Sequence, residues 1–183
     1  MISAKRLKTS LFLLTIGFWS NLSAQPFEKP LSKQELIKWF TASIETQKIL
    51  WEYQANASDY EDAPLAFGNA KKEWLNNNGW EISSFEELSE RINGVYNSIQ
   101  EQKEIDLEKN ELKNQLEEIE NNAYLNSEQK TMMKSAMLKT INIRQTRVDF
   151  FKPDWPAFKP YLEDYQQLDL WISKNIQTPP TID

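Results

Sequence analysis

The stretch FEELSERINGVYNSIQEQKEIDLEKNELKNQLEEIENN, Phe85 to Asn122, decides the fold. It contains no proline, and Phe85, Leu88, Ile92, Val95 and Ile99 recur at the steps of one buried helix face. At about 1.5 Å per residue such a helix runs ~55 Å. Gln100-Glu101-Gln102-Lys103-Glu104 then interrupts the apolar stripe, which resumes out of phase at Ile105, Leu112, Leu116 and Ile119. The interruption predicts that the middle of the helix projects beyond the packed body or bends there. Asn121-Asn122-Ala123-Tyr124-Leu125-Asn126 reads as a turn. Ser127-Glu128-Gln129-Lys130 restarts a helix that carries Met132, Met133, Ala136, Met137, Ile141 and Val148. The two segments, about 84–122 and 127–151, form a long helical hairpin.

Upstream, Ser32-Lys33-Gln34-Glu35 fits a capping box, in which the hydroxyl and the carboxylate satisfy free N–H groups of a helix start. That helix runs to about Ala55, with Leu36, Ile37, Phe40, Ile44, Leu50 and Trp51 at helical spacing. A polar break over 56–64 precedes a short helix, Leu65 to Asn77, ended by Asn78 and Gly79. Ser83-Ser84-Phe85-Glu86 is a second capping box. Downstream, Asp154 is placed as the N-cap of a last helix bearing Trp155, Phe158, Tyr161, Leu162, Tyr165, Leu168 and Trp171. Pro156 suits its first turn, and Pro160 sits less comfortably at that turn's edge. Strand patterns are missing. The expected fold is all-α, four to five helices in an irregular bundle, with one domain over 25–176 and a loose tail over 177–183.

The N-terminus has the order of an export signal. Lys5, Arg6 and Lys8 precede the apolar run Leu11 to Trp19, and a short polar segment ends at Ala24. Cleavage is expected between Ala24 and Gln25, and the apolar run is too short for a finished membrane anchor. Residues 1–24 hold three basic residues and no acidic one, so their loss takes the formal charge from −6 to −9. Such an acidic chain is repelled by phosphate backbones, which argues against nucleic acid as a partner. No later stretch approaches the ~20 apolar residues of a membrane span. The style of the signal is Gram-negative, which makes the expected compartment periplasmic or extracellular.

The chain has no Cys and no His. That removes disulfides, the usual general base, the commonest transition-metal ligand, and the Ser–His and Cys–His nucleophile systems. Gly68, Gly79 and Gly94 are too far apart for a phosphate-cradling loop. Asp59, Glu61 and Asp62 lack the spacing of a calcium loop. No cofactor, metal site or catalytic set is expected. Carboxylate-only chemistry survives elimination, but the acidic residues follow the pattern of solvated helix faces.

Among the tryptophans, Trp39, Trp51, Trp74 and Trp171 lie on or beside apolar stripes and read as core. Trp80 and Trp155, at loop–helix junctions, are the candidates for an exposed groove. Met133, within the Met132–Met133–Met137 cluster, is a candidate contact for a protein partner. Arg91, Arg144 and Arg147 are candidates either for ion pairs with a facing helix or for an anionic ligand. The expected function is non-enzymatic binding of other envelope proteins, chaperone- or adaptor-like. The alternative is a small-ligand binder or carboxylate hydrolase with an aromatic cleft near Trp80 and Trp155.

Two segments place a leucine before a helix cap, Leu31-Ser32-Lys33-Gln34-Glu35 and Leu125-Asn126-Ser127-Glu128-Gln129. The second resembles the L-T-x-x-Q motif of the Spy/CpxP family of small periplasmic chaperones, with Asn126 in place of the threonine. From Trp74 to Leu168 the chain is also similar to uncharacterised secreted helical proteins of Gram-negative bacteria. The Gly79-Trp80 step, the Ser-x-x-Glu helix start and the Ser-Glu-Gln-Lys restart carry that likeness. It implies export and a helical hairpin, and no particular activity.

Overall fold

The capping box at Ser32 forms as read: its hydroxyl accepts from the Glu35 N–H at 3.2 Å, and the Glu35 carboxylate accepts from the Ser32 N–H at 2.9 Å. The Ser32 hydroxyl also donates to that carboxylate, which holds Glu35 below the usual glutamate range. From this cap runs α1, Lys33–Ala55. A computed structural model describes residues 27–182, and helix is the regular secondary structure throughout them. The expected export signal, with its boundary between Ala24 and Gln25, lies outside those residues.

Helix α2, Ala63–Asn77, starts two residues earlier than its apolar pattern predicts. Asp62 caps it by accepting from the Leu65 N–H at 2.9 Å, and Pro64 fits the first turn, where a missing N–H costs nothing. Its end is a Schellman motif. Gly79 takes a left-handed φ of 71°, its N–H reaches Asn76 O at 3.1 Å, and the Trp80 N–H reaches Leu75 O at 2.9 Å.

That turn delivers the chain directly into α3, Ile82–Asn121, a continuous helix of 40 residues. The capping box expected at Ser83 is not used. The Phe85 N–H already bonds to Glu81 O at 3.0 Å, so the helix begins before Ser83, with Ile82 packed on the core. The second hairpin helix, α4, Ser127–Phe151, is capped by Asn126 and Gln129, which exchange side-chain and backbone bonds at 2.9 and 3.0 Å. The Gln100–Glu104 run does not break α3. It marks where one core ends and another begins. Up to Ile99, α3 packs into the main core with α1, Leu75 of α2, Phe158, Leu168 and Trp171. From Ile105 onward it packs into a second cluster, Ile105, Leu112, Ile141 and Val148, edged by Leu116, Met137 and Trp155. The hairpin is therefore an arm with its own small core, joined to the body through Trp155.

The last helix is not continuous. A 3-10 turn over Lys152–Asp154 leads to α5, Trp155–Phe158; a second over Lys159–Tyr161 leads to α6, Leu162–Ile172. Prolines 153, 156 and 160 withhold N–H groups, and the Pro160 ring crowds the carbonyl one turn back. Asp154 does not cap this segment. Its carboxylate is buried, accepting from Arg91 Nε and Nη2 at 2.7 and 2.6 Å and from the Leu31 N–H at 2.7 Å. Arg91 also donates to Lys29 O at 2.7 Å and lies 4.0 Å from the centre of the Phe27 ring. The N-terminal lead-in is thus clamped to the base of the hairpin. The tail expected to be loose over 177–183 also lies on the body: Pro180 is buried, and Ile182 packs on the main core.

Candidate functional site

The inner side of the arm is polar where α3 lacks apolar residues. Arg144 of α4 donates through Nε to Glu101 at 2.8 Å, through Nη1 to Glu108 at 2.6 Å and through Nη2 to Glu104 at 3.2 Å. Arg147 donates to the same Glu101 at 2.9 Å, and Gln145 to Gln102 at 2.9 Å. Glu108 and Glu101 hold the Arg144 guanidinium firmly in its charged form. All three guanidinium nitrogens face carboxylates, so Arg144 and Arg147 are joined through Glu101 as a cross-helix clamp. Arg91 differs from them, because its carboxylate partner is Asp154 rather than a residue of a facing helix.

The outer side of α4 has the opposite character. Ile141 and Val148 point inward and are buried, and Met137 is half-buried beside them. On the outer side Met132 is 66% exposed and Ile143 57%, and on the two flanks Met133 is 43% and Leu138 41% exposed. At the turn, Tyr124 is 97% exposed, so an aromatic ring stands free at the tip of the arm. Two shallow, open depressions follow this outer surface, lined by residues that include Met132, Ala136, Leu138 and Ile143. The sequence reading singled out Met133 but not Tyr124, Leu138 or Ile143. A signal was present: Met132 and Ile143 lie half a helix turn away from Ile141 and Val148, which makes two apolar faces on one helix.

The two tryptophans proposed for a groove are placed apart. Trp80 meets Phe85 edge-on at 5.7 Å, and the Lys38 ammonium lies 4.3 Å from its ring centre while donating to Gly79 O. Trp155 donates from its indole N–H to Ser98 Oγ at 2.9 Å, and Lys159 lies 4.7 Å from its ring centre. Phe85 and Ser98 sit on the same helix ~20 Å apart. Both indoles are half-buried against the main core with a lysine over one face. Each acts as a packing element with a cation as its cover.

Among the described residues, no group of three or more acidic side chains is arranged to hold a metal ion, and no helix is long and apolar enough to cross a membrane. Comparison with protein-family models, with curated proteins and with solved structures finds no match.

Proposed function

We propose that this is an exported, non-enzymatic protein-binding protein of the periplasm or cell exterior, chaperone- or adaptor-like, that engages other proteins with its hairpin arm. The observation that carries this reading is the exposed apolar surface of the arm: Tyr124 at the tip, with Met132, Met133, Leu138 and Ile143 along α4. Exposed apolar side chains scattered singly are ordinary, whereas here Met132 and Ile143 share the outer face of α4 with Met133 and Leu138 on its two flanks, and several so close together on one arm mark an interaction surface. Methionine suits contact with varied partners, because its unbranched thioether adapts to irregular surfaces. The basic signal and apolar run over residues 5–19 support export.

The test uses a permanently unfolded, reduced and alkylated protein as client. Wild type is expected to suppress its aggregation, and the double variant Tyr124→Ser, Met133→Ser to lose that effect at unchanged helical content. Both positions are exposed, so folding is not at stake. Equal performance by wild type and variant, or no suppression by wild type, would count against the reading.

A further inference from the structure

Met132, Ala136, Lys139, Ile143, Thr146 and Phe150 follow one another at alternating four- and three-residue steps. That is the spacing of a coiled-coil seam, and it lies on the face of α4 opposite the buried Ile141 and Val148. From Met132 to Thr146 the seam is exposed; at its base Phe27 rests on Phe150, with ring centres 5.3 Å apart. We infer that this seam is a self-association surface, occupied by α4 of a second copy of the chain running antiparallel. The inference shares with the proposed function the premise that the outer face of α4 binds protein, and it names one occupant.

Charge selects the occupant. The chain is acidic, with a formal charge of −6, so most of its surface repels a second copy. Residues 131–148 contain neither Asp nor Glu, and Lys134, Arg144 and Arg147 are drawn to carboxylates of α3. The seam itself carries one charge, Lys139. Two copies therefore approach with least repulsion along this strip.

Direction follows from the same residues. A parallel pair sets Lys139 against Lys139 and brings the two acidic bodies side by side. An antiparallel pair sets Lys139 against Ile143, Ala136 against Thr146, and Met132 against Phe150. Each lysine stem then lies over an isoleucine while its ammonium reaches water at the edge. The bodies stand at opposite ends. A single lysine in such a seam also fixes the register, because displaced pairings bury its charge.

Sedimentation velocity of the chain across a concentration series tests the assignment. The apparent mass is expected to rise toward twice that of the monomer, and Ile143→Glu, at an exposed position, to hold it at the monomer value with unchanged circular dichroism. Since the chain has no Cys, direction is read from Ala136→Cys and Thr146→Cys. When the two are mixed and oxidised, the expected product links one variant to the other. A monomer at every concentration, a dimer indifferent to Ile143→Glu, or predominant linkage of each variant to itself would overturn the antiparallel pair. Client suppression by a chain that stays monomeric would sink this inference alone and leave the proposed function standing.

Discussion

Gly94 lies where α3 passes the Phe151 ring, and a β-carbon built on it would fall against Cζ and Cε1 of that ring. Phe151 cannot readily withdraw, because Phe27 and Phe150 flank it. Gly79 is required for another reason. Space around it is open enough, with Lys38 Nζ at 3.8 Å from the added carbon, but its φ of 71° is costly for a side-chain-bearing residue. Gly68 has neither constraint. Three alanine substitutions should separate these cases in denaturant unfolding. Gly94→Ala is expected to lose about 1–3 kcal/mol to overpacking, less what the helix gains from alanine. Gly79→Ala should lose about 1–2 kcal/mol to backbone strain. Gly68→Ala should gain up to about 1 kcal/mol. A neutral Gly94→Ala would show that the ring moves freely. Asp154 makes a sharper case: Asp154→Ala strands a largely buried Arg91 and should cost about 3–5 kcal/mol. Replacing both partners by apolar residues of similar volume should cost much less, and equal losses would contradict the pairing.

At the scale of elements, the hairpin is held by an apolar seam and by the Arg144 clamp, and salt separates the two. Arg144→Met keeps the packing stem and removes the charge from between Glu101, Glu104 and Glu108, leaving Glu104 and Glu108 without their cation and Glu101 with Arg147 alone. Exposed ion pairs are worth ~0–1 kcal/mol each, and a shared, partly buried set more. The expected loss is about 1–2 kcal/mol at low ionic strength, shrinking as salt screens both the clamp and the repulsion left behind. A loss that does not change with salt would assign the effect to packing. What the sequence made legible here was what local physics controls: the hairpin, its turn, and the caps at Ser32 and at the start of α4. It was not legible that Gln100–Glu104 is the complement of Arg144, since the partners lie some forty residues apart and nothing local marks them. Asp154 misled for the same reason. As an aspartate before a helix it reads as a cap, while its partner Arg91 lies 63 residues away in sequence. The candidate site was half visible. Met133, Arg144 and Arg147 were found by residue type, while Ile143 needed the second face of α4 to be recognised, Tyr124 lies in the turn and Leu138 on a flank of the helix.

For the whole molecule, the division into body and arm has a measurable consequence. The body joins α1, α2, the first half of α3 and the C-terminal turns around Leu36, Phe40, Ile92, Val95 and Phe158, all fully buried. The arm buries four residues in its own cluster, two of them incompletely excluded from solvent at 6–8% exposure. Less apolar area is withdrawn from water there, and much of its backbone lies next to solvent, so local opening should take less free energy. One continuous helix thus spans two regions of different stability, with the change near Gln100. Native-state hydrogen exchange resolved by residue should show slow exchange from about 88 to 99 and distinctly faster exchange from about 107 to 121 and in the facing part of α4. Arg144→Met should speed exchange in the arm and leave the body unchanged. Uniform protection along the whole of α3 would instead mean that the hairpin and body open as one unit. In that event the arm would lack the independent mobility that an adaptable binding surface needs.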